Sequence, residues 1–333
     1  MDVERKPVSF GPHVFDLDVE AETLRIVEAL RGQLRSQRKR GLVLGLSGGI
    51  DSSVCAALAV KAVGQSNVCA IFMPEADSDP DSLHLGKAVA TRFGLEGIVE
   101  NIGPTLLAMG CYERRDAFIR EIVPDYGVGW ASKVVISSAL QGGFSLSYLV
   151  VADPKGKQSK HRIPHAAYLG IVAASNMKQR TRKQIEYYHA DRLNFAVLGT
   201  PNRLEYDQGF FVKNGDGAAD VKPIAHLYKS QVYALARHLG VPDDVLSRPP
   251  TTDTYSLPQT QEEFYFSLSW DRMDLCLYGL NHDIPHHEIG AAAQLTPQEV
   301  EHVLADIVAK RRATRYLHQR PHLVEDIREI GRG

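Results

Sequence analysis

Serines, glycines and one carboxylate are concentrated between residues 45 and 52, where the chain reads GLSGGIDS. Glycines that can take a positive φ let an anion approach the backbone closely, and the serines add hydroxyl donors. The apolar run LVLGL includes the start of this stretch, and a small, apolar segment from Ile50 to Val63 follows the glycines. The pattern indicates a buried strand, a glycine turn and a helix N-terminus, which together bind phosphate.

Asp51 stands among these donors, which is unusual for a site that binds only an anion. A carboxylate beside a phosphate indicates a divalent metal ion between the two. The stretch has no lysine at its end, so it is not the GxxxxGK[ST] phosphate loop. A turn without function is the simpler alternative, but it does not explain why the serines and Asp51 directly follow an apolar strand.

The elements around this stretch alternate between strands and helices. The sequence predicts strands over 42–46, 67–73, 98–102 and 195–199, and helices over 19–37, 50–63, 85–93 and 164–189. This order predicts an α/β fold, with a doubly wound parallel sheet and helices on both faces. Ligands of such sheets bind beyond the carboxyl ends of the strands, where the 45–52 stretch begins.

The whole chain, residues 1–333, is predicted to form one single domain. Residues 103–165 are predicted to be an insertion, in which 134–149 is apolar around Gly142 and Gly143, and 153–162 indicates a hairpin tip. Contact of the apolar part with a membrane is an alternative to a place in the core or a dimer interface. Residues 260–333 are predicted to form a C-terminal helical part.

Composition and charge argue against several classes of protein. The net charge of −2 gives no general attraction to nucleic acid or to anionic membranes. No apolar run approaches the roughly 18 residues of a membrane span, and the N-terminus lacks the apolar region of a signal peptide. The four cysteines form no CxxC pair, which argues against a zinc cluster and predicts a cytoplasmic protein. His286 and His287 are adjacent, and adjacent helical histidines cannot both face one metal.

The stretch SGGIDSS resembles the SGGxDS loop of the ATP pyrophosphatases, enzymes that cleave ATP between the α and β phosphates. Further motifs follow in order: LGT at 198–200, Glu205, GFFVKNGDGAAD at 209–220, Lys229, and PT at 250–251. Together they resemble the ammonia-dependent NAD synthetases, which have an adenine nucleotide alpha hydrolase-like fold. The resemblance implies a ligase that amidates deamido-NAD with ammonia and ATP, and yields NAD, AMP and pyrophosphate through an acyl-adenylate.

The resemblance also implies roles for individual residues. Magnesium is expected to be held by Asp51 and Glu205. Deamido-NAD is expected to contact Arg180, Lys213 and Asp220, with Arg180 supplied by the neighbouring subunit of a homodimer. The residues implied for ATP are Gly45, Leu46, Ser47, Gly48, Gly49, Ile50, Asp51, Ser52, Thr200, Lys229 and Thr251.

Free ammonia is expected to be the nitrogen donor. Glutamine-dependent NAD synthetases carry a glutaminase with a cysteine nucleophile as a long N-terminal domain. Here 46 residues precede Ser47, and none of them is a cysteine. A separate glutaminase is an alternative source of the ammonia, and the expected partners are otherwise small molecules, with no nucleic acid and no membrane.

Two alternatives stay open. The chain differs from the NAD synthetase pattern at three points: Pro201, the segment FYFSLSW at 264–270, and the lack of a clear C-terminal His-Lys pair. His318 is the nearest candidate for that pair. These differences leave open an amide synthetase of the same superfamily that adenylates another carboxylate. The other alternative is a non-catalytic nucleotide-binding protein, which the presence of Asp51, Glu205 and Lys229 argues against.

Overall fold

The computed structural model describes residues 9–141, 146–252, 254–325 and 327. Its strands are β1 (Leu42–Gly45), β2 (Val68–Phe72), β3 (Gly97–Val99), β4 (Ala131–Ile136), β5 (Ser147–Ala152), β6 (Gln158–Arg162) and β7 (Ala196–Val197). Its α-helices are α1 (Val19–Gln37), α2 (Ile50–Val63), α3 (Pro80–Arg92), α4 (Gly103–Ala108), α5 (Cys111–Arg120), α6 (His165–Leu193), α7 (Arg203–Gln208), α8 (Lys229–Leu239), α9 (Asp243–Ser247), α10 (Trp270–Asn281), α11 (His286–Ala293) and α12 (Pro297–Thr314).

A parallel sheet with the strand order β3-β2-β1-β7 forms the centre of the molecule. The chain moves outwards from β1 to β2 and β3, and then returns to place β7 on the other side of β1. This topology confirms the predicted doubly wound α/β fold. The strand order reverses between β1 and β7, and such a point leaves a crevice at the carboxyl ends of the strands.

Helices cover both faces of this sheet. On β1, Leu42 and Leu44 pack in the same apolar cluster as residues of α1, α2 and α8. Val43 points to the opposite face and packs with residues of α6. Successive side chains of a strand point to opposite faces, so a strand buried on both sides reads as the continuous apolar run seen in the sequence.

A second sheet is antiparallel, with the order β4-β5-β6, and lies within the segment predicted to be an insertion. Val134 and Leu149 of this sheet pack with Ile119 and Ile171 of α5 and α6. The predicted hairpin tip, 153–162, covers the turn between β5 and β6 and also β6 itself, whereas Gly142 and Gly143 lie outside the described residues. The outer edge of β4 is held by residues 256–259, since the Leu257 amide donates to the Ser132 carbonyl at 3.1 Å.

The C-terminal helices α10, α11 and α12 have a core of their own, which includes Met273, Leu277, Ile289, Val303 and Ile307. These helices correspond to the part of the chain that the sequence predicted to be helical. None of the described helices is long and apolar enough to cross a membrane.

Two neighbouring glycines between β1 and α2 differ in their conformational demands. Gly48 has a φ of 76°, and a Cβ there would lie 2.8 Å from the Ser82 carbonyl oxygen and 2.9 Å from the Gly86 nitrogen. Gly49 has a φ of −83°, and the nearest atom to a Cβ there is the Ser47 Oγ at 3.4 Å. Only position 48 therefore requires glycine for backbone reasons.

We expect Gly48→Ala to lower the free energy of unfolding by about 2–4 kcal/mol. The left-handed conformation costs an alanine roughly 1–2 kcal/mol, and contact with the α3 backbone adds to this. Gly49→Ala is the matched control and is expected to lower it by less than about 1 kcal/mol, the cost of alanine at a helix N-cap. Urea denaturation of both variants measures the difference, and equal losses would contradict this view of the loop.

Candidate active site

A cavity of about 1160 Å³ lies at the carboxyl ends of β1 and β7. Of the eight consecutive residues predicted to bind ATP, seven line this cavity: Gly45, Leu46, Ser47, Gly49, Ile50, Asp51 and Ser52. Gly48 does not line it, because this residue turns against α3. The hydroxyls of Ser52 and Ser53 donate to the Gly49 carbonyl at 3.0 and 2.8 Å, so side chains of α2 fix the loop conformation.

The other residues predicted for ATP, Thr200, Lys229 and Thr251, also line the cavity. Thr200 follows β7, and Thr251 is paired with Thr260 in an isolated antiparallel bridge. Arg248, which the sequence analysis did not single out, lines the cavity near Thr251 and donates to the Asp79 carboxylate at 2.8 Å. This bond joins the segment around Thr251 to the loop that follows β2.

Lys229 and Asp51 form an ion pair in the cavity wall, with 2.5 Å between Nζ and Oδ2. Lys229 is only 1% exposed and is the first residue of α8, where the helix dipole disfavours a cation. Burial lowers the pKa of Lys229, but Asp51 and Glu205 raise it more, so the net shift is upwards. The lysine is therefore held in its charged form by the two carboxylates.

Glu205 lines the same wall from α7. Burial and the neighbouring Asp51 carboxylate raise the pKa of Glu205 to about 7, although Lys229 acts in the opposite direction. Its Oε1 accepts a hydrogen bond from Gln261 Nε2 at 2.8 Å, and its Oε2 accepts one from the Asn202 backbone amide at 3.2 Å. The Asp51 and Glu205 carboxylates thus both face the buried Lys229, and a further cation at this point would favour the ionised form of Glu205.

Asn202 and Gln261 are site residues that the sequence analysis missed. Asn202 Nδ2 donates to Asp51 Oδ1 at 3.0 Å, and Asn202 Oδ1 accepts from the Glu205 amide at 3.3 Å. The spacing of Asn202 and Glu205 is that of a helix capping box, so the cap was readable from the sequence. The bonds from Asn202 to Asp51 and from Gln261 to Glu205 join distant parts of the chain and have no local signal.

The two carboxylates fit a magnesium ion that is held jointly with a nucleotide. Magnesium prefers oxygen ligands and is usually bound by one or two carboxylates together with substrate phosphates and water. A carboxylate offers about four lone-pair sites, so Asp51 can keep its present bonds and accept a metal as well. Within the described ranges, no three His, Cys, Asp or Glu side chains gather as a metal site. The phosphates would therefore have to supply further ligands.

The three residues predicted to contact deamido-NAD do not line the cavity of this chain. Arg180 is exposed on α6, and its Nε donates to the Lys213 carbonyl at 3.3 Å. Lys213 Nζ donates to the Tyr316 carbonyl at 3.0 Å. Arg180 and Lys213 are therefore close to each other but separate from the Asp51 site.

The Asp220 carboxylate is engaged at the end of β7, where it accepts a hydrogen bond from the Val197 amide at 2.7 Å. The loop that carries Lys213 and Asp220 nevertheless reaches the cavity through Phe211, Val212 and Asp216. This loop thus carries residues that line the cavity as well as residues predicted to contact deamido-NAD.

Lys183 and Glu186 form a second buried ion pair in the cavity wall, with 2.6 Å between Nζ and Oε2. Both belong to α6, and a Cβ on Gly45 would lie 2.9 Å from Glu186 Oε1. Asp216, whose pKa is raised by burial, faces the Lys183 charge. These groups make the wall beside the end of β1 polar, and no local sequence pattern predicts this.

Another part of the wall comes from the antiparallel sheet and from α12. Val134, Ile136 and Ser147 line the cavity from β4 and β5, and His302 and Lys310 line it from α12. Burial lowers the pKa of Lys310, and Asp306 raises it less, so the net shift is downwards. The segment predicted as an insertion and the C-terminal helical part therefore both contribute to the site.

Comparison of the chain with protein-family models gives a match to NAD synthase over residues 22–122 and 151–317. The chain is 71% identical over 322 residues to the NH(3)-dependent NAD(+) synthetase of Rhizobium meliloti (strain 1021), with 96% of each chain covered. It is 33% identical over 280 residues to the protein of the same name from Thermotoga maritima, with 84% of this chain and 91% of the relative covered.

Solved structures of similar fold include an NMN synthetase from Francisella tularensis, with a TM-score of 0.63 and 22% identity, over 92% of this chain and 99% of that one. An NH3-dependent NAD synthetase from Campylobacter jejuni has a TM-score of 0.59 and 21% identity, over 93% of this chain and 100% of that one. At these identities the structures establish the fold, whereas the family match and the sequence relatives establish kinship. The chain belongs to the NAD synthase family.

Proposed function

We propose that this protein is an ammonia-dependent NAD synthetase, a ligase that converts deamido-NAD, ATP and ammonia to NAD, AMP and pyrophosphate. The observation that carries the proposal is the grouping of Asp51, Glu205 and Lys229 beside a serine- and glycine-rich loop in one cavity. That cavity, at about 1160 Å³, exceeds the roughly 300–1,000 Å³ of typical small-ligand sites, as a site for two nucleotides requires. The curated relatives carry the name of this activity.

In the first step, a carboxylate oxygen of deamido-NAD attacks the α-phosphorus of ATP. The bond from the α-phosphorus to the bridging oxygen breaks, and pyrophosphate leaves. The backbone amides and hydroxyls of the 47–52 loop bind the phosphates, and the charge of Lys229 stabilises the growing negative charge. Magnesium bound by Asp51 and Glu205 would supply further neutralisation of the phosphate oxygens.

In the second step, ammonia attacks the acyl carbon of the adenylate, and the carbon–oxygen bond to AMP breaks. The nitrogen gives up a proton to solvent, and AMP keeps the oxygen that came from the carboxylate. The two anionic substrates bind close together in one cavity, so fixed cations must offset the repulsion between them. Lys229, Lys183 and Arg248 are cavity-lining cations that serve this purpose.

The acceptor contacts are part of the same proposal. We assign Lys213 and Asp220 to the acceptor dinucleotide, together with Arg180 of a second subunit in a homodimer. Arg180 is exposed on α6 and does not line the cavity of its own chain, which supports a role at a surface shared with another chain. Cys55, Cys69, Cys111 and Cys276 are all unpaired, which supports a cytoplasmic enzyme.

The direct test of the function uses purified protein with ATP, magnesium, ammonium chloride and deamido-NAD. We expect NAD, AMP and pyrophosphate in equal amounts, and no product when glutamine replaces ammonium. A panel of smaller carboxylates, offered in place of deamido-NAD, is the control for acceptor choice. AMP release with one of those carboxylates and none with deamido-NAD would replace the proposal with an amide synthetase of different substrate.

We expect Glu205→Gln to lower kcat/KM by about 100-fold or more, while the free energy of unfolding changes by less than about 1 kcal/mol. The variant removes the charge of Glu205 from the buried pair that it forms with Asp51. The side-chain amide of Gln261 can rotate to keep its hydrogen bond to residue 205. Asp51→Asn should lose similar activity and also about 2 kcal/mol or more of stability, because it removes the ion-pair partner of buried Lys229. Steady-state kinetics and urea denaturation separate the two effects. Near-normal turnover of Glu205→Gln at saturating magnesium would refute the metal assignment.

The assignment of Arg180 to a second subunit predicts complementation between two impaired variants. Arg180→Ala and Glu205→Gln subunits, co-expressed with different tags and purified as heterodimers, should contain one intact site in every dimer. We expect about half the wild-type activity from the heterodimer and little from either homodimer. A heterodimer without activity would show that Arg180 and Glu205 of one subunit serve the same site. A fully active monomer would refute the homodimer.

A further inference from the structure

We propose that Asn202 is a positioning residue that sets the distance between the carboxylates of Asp51 and Glu205. The proposal rests on the function proposed above, in which these two carboxylates hold the metal ion. Asn202 is 1% exposed and does not line the cavity, so it acts through its neighbours and not by contact with substrate.

The polar groups of Asn202 connect the two carboxylates. The side-chain Nδ2 donates to Asp51 Oδ1 at 3.0 Å, and the backbone amide donates to Glu205 Oε2 at 3.2 Å. The side-chain Oδ1 accepts from the Glu205 amide at 3.3 Å, and the backbone carbonyl accepts from the Tyr206 amide at 2.9 Å. Asn202 thus forms hydrogen bonds with Asp51 on α2 and with both the backbone and the side chain of Glu205 on α7.

Helix capping alone does not explain this arrangement. A capping box requires the side-chain acceptor and the backbone amide of the capping residue, and these bonds would form without any contact to Asp51. Thr296 shows the simpler case, because it caps α12 through the same box with Glu299 and lies at an exposed position. The Nδ2 bond from Asn202 to Asp51 is the additional feature, and serine or threonine at position 202 would lack it.

Electrostatic repulsion between the carboxylates explains why the bond from Asn202 to Asp51 matters. Asp51 and Glu205 repel each other, and Lys229 forms its ion pair with Asp51 Oδ2. The Asn202 amide holds the opposite oxygen, Oδ1, and so prevents Asp51 from turning away from Glu205. Partners that orient metal-binding carboxylates commonly change metal affinity by about 10–100-fold when they are removed.

The test measures metal binding directly. Mn²⁺ is titrated into the protein with saturating α,β-methylene-ATP, and free Mn²⁺ is followed by electron paramagnetic resonance. Asn202→Ser keeps an oxygen for the helix cap but lacks the amide donor, and Asn202→Gly, which helix N-caps tolerate at a cost of a few tenths of a kcal/mol, is the second variant. Thr296→Ala is the matched control, because it breaks the corresponding cap of α12 away from the carboxylate pair.

We expect the Mn²⁺ dissociation constant to rise at least about tenfold in Asn202→Ser and Asn202→Gly, and to stay within twofold of wild type in Thr296→Ala. The magnesium concentration for half-maximal activity should rise in parallel, with an unchanged KM for deamido-NAD. Wild-type affinity for Mn²⁺ in a folded Asn202 variant would overturn the role of Asn202 and leave the proposed function intact. Failure of the wild-type complex to bind Mn²⁺ would instead overturn the metal assignment on which both proposals depend.

Discussion

The placement of two carboxylates beside one buried lysine is the constraint on which the site depends. Asp51, Glu205 and Lys229 come from three different helices, α2, α7 and α8, and meet at the carboxyl end of the sheet. Lys229 is held charged, and Glu205 has a pKa raised to about 7 by burial and by Asp51. Such a group is stable only when each charge has a partner, and it is therefore suited to a ligand that brings both phosphate and metal.

The fold provides this placement through the reversal of strand order between β1 and β7. The glycine loop leaves β1, Thr200 follows β7, and Lys229 at the start of α8 pairs with Asp51 there. Asp274 of α10 accepts hydrogen bonds from the Lys229 and Ser230 amides, and thereby fixes the start of α8. The C-terminal helices are thus coupled to the position of the lysine, although they lie outside the parallel sheet.

The sequence predicted the parts of the site that depend on local pattern. The strand at 42–46 and the helix at 50–63 were expected, and β1 and α2 are found at Leu42–Gly45 and Ile50–Val63 because glycines and apolar residues define both boundaries. The contacts of Asn202 and Gln261 were missed, since they depend on packing between distant segments. Lys183 and Glu186 are three residues apart on α6, and what was missed there is that the pair is buried in the cavity wall.

The residues predicted to bind deamido-NAD show most clearly what sequence motifs alone do not predict. Arg180, Lys213 and Asp220 match family motifs, yet they do not line the cavity that contains Asp51. In the chain described here, Lys213 bonds to the Tyr316 carbonyl and Asp220 bonds to the Val197 amide. A role for these residues therefore requires a second subunit, as the family resemblance implies for Arg180, or a rearranged loop, which the order of motifs in one sequence does not show.

The chemistry that unites these features is the transfer of AMP to a carboxylate, and an isotope experiment tests it most directly. Deamido-NAD labelled with ¹⁸O in both oxygens of the nicotinate carboxylate is converted with unlabelled ATP and ammonia, and the products are analysed by mass spectrometry. Because the attacking oxygen stays with phosphorus when ammonia displaces AMP, we predict one ¹⁸O atom in AMP and one in the amide of NAD. Unlabelled AMP, formed together with NAD, would contradict adenylation of the acceptor at this site.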